Sequence, residues 1–516
     1  MKLLKLVKKF TFNLTLLLLT LAVFMSETVF AQGESSEESG FAIVRIFNTV
    51  GEYVMNVLDA ALFFEVGGFP FIVLWLITGG IIFSLLLGFP NIRLFRHAIQ
   101  VVRGKYSKDD DPGEVTHFQA LAAAVSGTVG LGNIAGVAIA VAVGGPGAIF
   151  WMMFAGFFGM TMKFVEVTMG HKYRVIDPVT KVVSGGAFRY LEKGLEGRGM
   201  KKLGKVLAIL FAVCCMGAAL GTGNMFQSSQ SVKMFTYVFD GVSDFDWAIA
   251  LVLAVAVGMV LIGGFKRVAT TAGAIVPLMA AVYLLACLVV LFVNFDKIPQ
   301  AFSMILGQAF SLDAAYGGMI GAIIMGFRRA TFSNEAGVGS APIAHAPAKT
   351  SEPVRAGAVA LLEPFIDTIV ICMISGLVIT TTGVYENVSD SGTWQGSMIT
   401  AKSFETVISW FPYILSLCVL LFAFSTMITW SYYGERSWQY LFGDRYVRIY
   451  QIIFCLAVFL GGTTNELEMI VNLSDLMLFA MAIPNIVGLY ILSKEIRGDV
   501  KDYVSRLRAG KMPMTK

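Results

Sequence analysis

Charge is scarce in this sequence. Only 14% of the 516 residues are charged, whereas 56% are hydrophobic and the mean hydropathy is +0.73. Because a soluble domain carries roughly 25% charged residues, this composition excludes a soluble globular protein and indicates an integral membrane protein. The formal net charge of +4 is too small to indicate a charged partner, so the lipid bilayer is an expected partner and nucleic acid is not.

Cysteine and histidine are also rare, with six and four residues. All six cysteines lie in apolar segments, where cysteine behaves as a small hydrophobic residue, so we expect no disulfide. The histidines are scattered without the spacing of metal ligands. No GxxxxGK[ST] segment is present, so nothing in the sequence supports ATP-driven transport. We therefore expect no organic cofactor, and no metal other than a transported ion.

The first 31 residues have the pattern of a secretory signal peptide. Lysines at the start precede a short apolar core at residues 10–24, and a small-residue cleavage site ends at Ala31. Cleavage leaves residues 32–69 as an extracytoplasmic N-terminal segment. The alternative is an uncleaved anchor helix, although the apolar core is shorter than the roughly 20 residues that a span needs.

Long apolar runs fill the rest of the chain, which predicts about 11 membrane spans. These are residues 70–87, 118–143, 148–169, 203–227, 247–262, 271–293, 319–341, 356–381, 411–430, 447–460 and 471–492. Lysine and arginine cluster in alternate loops, which are therefore predicted to be cytoplasmic. This places the mature N-terminus outside and makes residues 494–516 a basic cytoplasmic tail.

Two spans are interrupted by glycines and polar residues, as SGTVGLGN at 126–133 and ATFSNEAGVGSAP at 330–342. Unwound backbone survives in a bilayer only where protein buries it or where it lines a cavity. A matched pair of interruptions is typical of secondary transporters. When the first span and its loop, residues 70–116, are set aside, two five-helix repeats remain at 117–294 and 295–493. Their opposite senses predict an inverted repeat.

The first interruption has the chemistry to bind a carboxylate. Glycines let the chain leave helical geometry, and the next half-helix presents free N–H groups suited to a carboxylate. We predict that Thr128, Gly130 and Asn133 bind substrate there. The alternative is that the glycines serve only close helix packing.

Two amides three residues apart, Asn224 and Gln227, lie on one face of the fourth predicted span. Amides can hydrogen-bond an ammonium or a carboxylate without the desolvation cost of a full charge, so both are candidate substrate ligands. The alternative is that they hydrogen-bond neighbouring helices.

The second interruption carries Asn334 and Glu335. Ionisable residues at membrane depth are functional candidates. We predict a gate or structural role for Glu335, paired with Arg328 or Arg329; a proton or ion site is the alternative.

Other charges fall inside the spans. Lys163 and Glu166 are three residues apart on a helix and are predicted to pair with each other. The carboxylates Glu363 and Asp367 also fit acid–base catalysis, but no nucleophile or metal motif accompanies them, so an enzyme is not expected.

Several strings resemble the alanine/glycine:cation symporters of prokaryotes, over residues 70–492. They are SGTVGLGNIAG, GTGNMFQ at 221–227, GFRRATFSNEAGVGSAPIAHA at 326–346 and FSTMITWSYYGE at 424–435. The resemblance implies an all-α, LeuT-like fold of five plus five inverted helices with two discontinuous helices, preceded by one extra helix. It also implies sodium as the coupling ion and alanine or glycine as substrate.

The resemblance further implies a sodium site. Ser425 and Thr426 match the adjacent hydroxyl pair of LeuT-like proteins, with carbonyl ligands at Gly127 to Gly130 and at Phe422. The alternative is that these hydroxyls only bond the preceding turn of their own helix.

The expected function is thus sodium-coupled amino-acid uptake by alternating access, at a prokaryotic plasma membrane. This would be the inner membrane of a Gram-negative cell. An amino-acid sensor without flux, a proton-coupled transporter and a channel are the alternatives, and no obligate protein partner is predicted. The sequence leaves open alanine against glycine, D against L, the stoichiometry and the oligomeric state.

Overall fold

The computed structural model describes residues 55–108, 110–179, 182–239, 241, 245–311, 318–387, 396–464, 467–512 and 514. The predicted signal peptide and residues 32–54 lie outside the described residues. The described chain is almost wholly helical, with two short antiparallel hairpins. These pair β1 (Glu65–Val66) with β2 (Phe69–Pro70) and β3 (Val175–Ile176) with β4 (Val183–Ser184).

The helices follow one another with short connections. The main ones are α1 (Phe71–Leu87), α2 (Phe95–Val102), α3 (His117–Thr128), α4 (Gly132–Gly144), α5 (Gly147–Lys172), α6 (Lys201–Val238), α7 (Asp246–Leu261), α8 (Gly264–Val293), α9 (Ile298–Ala309), α10 (Gly318–Asn334), α11 (Ala341–His345), α12 (Pro353–Thr382), α13 (Gly396–Glu405), α14 (Phe411–Phe442), α15 (Val447–Thr463) and α16 (Leu467–Arg508).

The described chain has seven helices that are long and apolar enough to cross a membrane, or eight if α3 and α4 form one bent span. This makes the protein a multi-pass membrane protein. A helix lies at each of the predicted spans, but α1, α7 and α10 have only 17, 16 and 17 residues. The count of 11 spans therefore stays a prediction.

Glycines on α5 bring this helix close to its neighbours. A Cβ at Gly156 would lie 2.9 Å from Thr368 of α12, and one at Gly159 would lie 2.9 Å from Ala336, just after α10. Small residues allow this approach because packing drives helix association in a bilayer. The centre of the bundle is therefore tight around α5.

The outer face of α8 is apolar and exposed. Leu278, Leu285 and Phe292 recur every seven residues and are 63%, 63% and 81% exposed. Residues at this spacing lie on one side of a helix. An exposed apolar stripe on a membrane helix is suited to contact with lipid tails.

Both predicted interruptions are present as breaks. The axes of α3 and α4 differ by 51°. After α10, Glu335, Gly337 and Gly339 have positive φ angles of 55°, 91° and 87°, and the chain becomes helical again at α11. Left-handed backbone stops a helix, so the second break begins directly after Asn334.

The last helix passes through the predicted boundary of the basic tail without interruption and ends at Arg508. Its final turns bind other segments through ion pairs. Lys172 Nζ lies 2.6 Å from Asp499 Oδ2, and Arg506 donates to both carboxylate oxygens of Glu352 at 2.7 and 2.9 Å.

Candidate functional site

The first break is held against α14 by hydrogen bonds in both directions. Ser126 Oγ donates to the Ser425 carbonyl oxygen at 2.7 Å, and Thr426 Oγ1 donates to the Ser126 carbonyl oxygen at 3.1 Å. Thr429, one turn further along α14, donates to Ser126 Oγ at 3.1 Å. All four residues are buried. The last turn of α3 and the α14 hydroxyls thus form one continuous polar contact inside the bundle, next to the unwound backbone at residues 129–131.

Gly130 lies at the centre of this contact. A Cβ there would collide with Thr426 Oγ1 and would lie 3.5 Å from Gln227 Oε1. Gln227 also accepts from the Leu131 N–H at 3.4 Å and donates to the Thr222 carbonyl at 3.1 Å. The absence of a side chain at Gly130 is therefore what lets α6 and α14 approach the same stretch of backbone.

The structure brings together five of the predicted substrate and sodium residues: Gly127, Gly130, Gln227, Ser425 and Thr426. A Cβ at Gly127 would lie 3.0 Å from Thr429 Cγ2, which places this glycine at the same interface.

The other predicted ligands have different partners. Thr128 Oγ1 donates to the Ala124 carbonyl of its own helix at 3.3 Å, and Asn224 Nδ2 donates to the Phe454 carbonyl of α15 at 2.8 Å. Asn133 does contact the first break, since its Oδ1 accepts from the Gly130 N–H at 3.0 Å, and its Nδ2 donates to Asp367 Oδ1 of α12 at 2.7 Å. Within this conformation, Asn224 makes the interhelical bond that was its alternative interpretation, and Thr128 bonds the preceding turn of its own helix.

The oxygen atoms at the first break have the character of a site for a hard cation. The Ser126 carbonyl, Thr426 Oγ1 and the Thr429 hydroxyl converge there. The Ser425 hydroxyl donates to the Phe422 carbonyl of its own helix at 2.9 Å, which is the alternative interpretation of this side chain. Hard cations prefer such carbonyl and hydroxyl oxygens. None of these side chains carries a charge, so the oxygens at this site are all neutral ligands.

The second break is held by a different partner from the one predicted for Glu335. Its Oε1 accepts from Trp430 Nε1 at 3.0 Å, and its Oε2 accepts from Ser340 Oγ. Arg328 and Arg329 lie 3.2 and 3.6 Å from Asp475 Oδ2 instead. The predicted arginine pairing is therefore not found, because the left-handed turn at Glu335 carries this residue away from the helical turns that hold the arginines.

Lys163 and Glu166 also have partners from outside their own helix. Lys163 Nζ lies 2.8 Å from Glu363 Oε1, and both side chains are fully buried. Glu166 Oε1 accepts from Asn485 Nδ2 at 2.6 Å and from the Gly339 N–H at 3.1 Å. The predicted Lys163–Glu166 pair is thus replaced by contacts to α12 and to the second break.

Four contact residues were missing from the predicted site: Ser126, Asp367, Thr429 and Trp430. Two of them carried a sequence signal. Ser126 begins the polar run that contains Gly127, and Thr429 follows Thr426 by three residues, on the same helix face. The roles of Asp367 and Trp430 depend on distant segments, and no local pattern indicates such contacts.

Buried, unwound backbone that meets hydroxyl and amide side chains within a bundle of apolar helices is the arrangement of a secondary membrane transporter. The profile of the sodium:alanine symporter family matches residues 51–516. The chain therefore belongs to the sodium:alanine symporter family, which is a family of transporters and not an enzyme class. Membership implies sodium as the coupling ion.

Several relatives are similar over most of their length. The sodium/alanine symporter AgcS of Methanococcus maripaludis is 40% identical over 463 residues, which cover 89% of this chain and 97% of AgcS. The probable sodium/glutamine symporter GlnT of Bacillus subtilis is 34% identical, with 86% and 90% covered. The putative sodium/proton-dependent alanine carrier protein YrbD of Bacillus subtilis is also 34% identical, with 86% and 91% covered.

Among solved structures, the substrate-bound outward-open state of a Na+-coupled sialic acid symporter is similar at 11% identity. It covers 80% of this chain and 82% of the other, with a TM-score of 0.43.

Proposed function

We propose that this symporter couples the entry of sodium to the uptake of a small neutral amino acid, alanine or glycine, by alternating access. The observation that carries the proposal is the contact of the first break with α14, where Thr426 meets the Ser126 carbonyl beside Gly130. Family membership and the relative AgcS support the choice of sodium and alanine.

The electrostatics of the first break fit this pair of substrates. The residues that line it are uncharged, so a zwitterion enters without leaving an unpaired protein charge. Its carboxylate would supply the anionic group that a sodium ion at Ser425 and Thr426 lacks. The Leu131 N–H next to the start of α4, which donates to Gln227 Oε1 in this conformation, would then donate to the same carboxylate. Ion and amino acid would thus stabilise each other, which is the physical basis of coupled binding.

A small substrate also fits the packing. Trp430 lies against Gly223, where a Cβ would collide with the indole, and the indole N–H is bonded to Glu335. A large aromatic side chain is thus fixed against the π-helical turn Gly221–Met225, about one turn before Gln227. We propose that it limits the substrate to side chains of the size of alanine or glycine.

The proposed transport cycle needs a two-fold arrangement of helices. We infer 11 spans, with α1 preceding two inverted five-helix repeats, and with the N-terminus outside and the C-terminus in the cytoplasm of a prokaryotic cell. The clustering of lysine and arginine in alternate loops supports this orientation. The 51° bend at the first break and the left-handed turn at the second support the repeat.

The test is uptake of labelled L-alanine and glycine into proteoliposomes under an inward sodium gradient. Potassium, choline or a proton gradient replaces sodium in parallel. Removing the Thr426 hydroxyl deletes one oxygen next to the Ser126 carbonyl, so Thr426→Ala should raise the sodium concentration for half-maximal uptake about tenfold or more.

Ser416→Ala is the matched control, because Ser416 lies on the same helix and its hydroxyl bonds only the Tyr413 carbonyl. It should transport like the parent protein. Binding of alanine without accumulation under any gradient would contradict transport and leave an amino-acid sensor. Accumulation driven by a proton gradient alone would show that the coupling ion is the proton and not sodium.

A further inference from the structure

The two breaks are joined by one buried carboxylate. Asp367 lies in the π-helical part of α12, Phe365–Cys372, and is fully buried. Its Oδ1 accepts from Asn133 Nδ2 at 2.7 Å, and its Oδ2 accepts from Ser333 Oγ at 2.8 Å. Asn133 follows the first break and Ser333 precedes the second. One side chain on a third helix therefore bonds to both discontinuous helices.

The same chain of bonds continues into the first break. Asn133 Oδ1 accepts from the Gly130 N–H at 3.0 Å. Gly130 is the glycine that allows Thr426 to reach the unwound backbone. The Asn133 side chain thus connects the Asp367 carboxylate to the backbone of the proposed sodium and substrate site, with one hydrogen bond to each.

A parallel chain of bonds reaches the second break. Thr368 Oγ1 donates to Asp367 Oδ2 at 2.7 Å and accepts from Asn334 Nδ2 at 2.9 Å. Asn334 Oδ1 in turn accepts from the Ala336 N–H at 2.9 Å. At each break, therefore, an asparagine accepts a backbone N–H and donates to the Asp367–Thr368 pair.

A side chain that only held the two helices together would not need to be a carboxylate. In the described part of the chain, Asp367 makes no ion pair, and its side chain accepts from the amide of Asn133 and from the hydroxyls of Ser333 and Thr368. A charge inside a membrane protein is costly, whereas an amide would accept some of the same bonds at lower cost. A carboxylate can accept from both helices at once because it has two equivalent acceptor oxygens and no donor when ionised.

We propose that Asp367 is a positioning residue for transport, which fixes the geometry of both breaks and so couples the second discontinuous helix to the sodium site on the first. It acts through Asn133 on one side and through Ser333, Thr368 and Asn334 on the other. The transport part of this inference rests on the proposed function.

Three variants test the coupling. Asp367→Asn removes one acceptor at nearly constant volume. Thr368→Val removes the bonds of Thr368 to Asp367 and Asn334 and leaves the direct bond from Ser333 to Asp367 in place. Thr381→Val is the matched control, since Thr381 lies on the same helix and bonds the Leu377 carbonyl of its own turn at 2.8 Å. Each protein is reconstituted, and the sodium dependence of alanine uptake is measured.

We expect Asp367→Asn and Thr368→Val to raise the sodium concentration for half-maximal uptake about tenfold, although neither residue contacts Ser425 or Thr426. Thr381→Val should leave it unchanged. A merely structural defect lowers the amount of active protein, which reduces the maximal rate and leaves the sodium dependence as it was. That result, or unchanged uptake in both variants, would overturn the positioning role.

Hydrogen–deuterium exchange gives a readout that does not depend on transport. In Asp367→Asn, exchange should rise together in residues 129–136 and in residues 335–340, whereas Thr381→Val should match the parent protein. A rise in only one of the two segments would show that Asp367 does not fix both breaks together. If the parent protein shows no sodium-dependent uptake, the proposed function fails, and the exchange data alone decide whether Asp367 links the breaks.

Discussion

At the scale of single residues, the site is shaped by the space that glycine leaves. Gly130 allows Thr426 and Gln227 to approach the same backbone, and Gly223 accommodates the indole of Trp430. Glycine also carries the positive φ angles of the second break at Gly337 and Gly339. Adding one methyl group at such positions is therefore a more specific probe than removing a polar side chain.

Gly130→Ala should reduce alanine uptake about tenfold or more. The new Cβ would collide with Thr426 Oγ1, and relieving such a clash costs about 1–3 kcal/mol. Gly136→Ala is the control, because its nearest neighbours would be the Leu131 carbonyl oxygen at 3.9 Å and Arg329 Cδ at 4.0 Å. Proteoliposome uptake of equal amounts of folded protein measures the difference. Equal activity of the two variants would show that Gly130 is not at the working site.

The sequence predicts a site residue when the pattern that marks it lies in the neighbouring residues. Gly127 and Gly130 lie in a visible polar run, and resemblance to a family supplied Ser425 and Thr426. Thr128 and Asn224 have the right residue type, but their hydrogen bonds go to Ala124 and to Phe454. The direction of a polar side chain depends on which helices surround it, and this is fixed only by tertiary packing.

At the scale of helices, hydropathy located helices but not their ends. Helix α6 continues to Val238, 11 residues beyond the predicted end at 227, and α14 continues to Phe442 instead of ending at 430. A hydropathy window ends where charged residues begin, whereas a helix continues as long as its backbone bonds and packing are favourable. The short helices α9 and α13, with 12 and 10 residues, were below the length of a span.

The second break gives a prediction about stability. Gly339 and Gly383 both have positive φ angles, of 87° and 68°, so alanine at either costs about 1 kcal/mol or more in backbone strain. Only at Gly339 would the added Cβ also lie 2.8 Å from Phe211 and 2.9 Å from Asn485. Gly339→Ala should therefore lower the thermal unfolding midpoint in detergent clearly more than Gly383→Ala. Equal shifts would mean that the second break relaxes freely.

At the scale of the whole molecule, the membrane bundle is joined to its surface segments by polar contacts near the end of α16. His97 of α2 hydrogen-bonds Tyr503 at 2.8 Å, and Arg355 donates to the Tyr106 carbonyl at 2.8 Å. Burial, followed by the charge of Arg355, lowers the pKa of His97 from 6.5 to about 4. The folded protein thus holds this histidine neutral at pH values where an unfolded chain would protonate it.

This pKa difference predicts a loss of stability in acid. The unfolded state binds the extra proton between pH 6.5 and about 4, so the contribution of His97 is complete above pH 6.5 and is lost as the pH falls towards 4. The slope from one proton is at most about 1.4 kcal/mol per pH unit. His97→Gln should show a shallower fall of the unfolding midpoint between pH 7 and pH 5. Parallel curves for the two proteins would exclude His97 as the cause.

The length of α16 has a mechanical consequence. Its 42 residues extend about 60 Å, twice the roughly 30 Å of the hydrocarbon core. Near one end, Asp475 forms ion pairs with Arg328 and Arg329 of α10, and near the other end, Arg506 forms an ion pair with Glu352. Pro484 lies inside this helix and is a point where it can bend, and a bend of about 5° there displaces the end at Arg508, about 36 Å away, by about 3 Å. Motion hidden among the buried helices is thereby amplified at the protein surface, where a spectroscopic label can follow it.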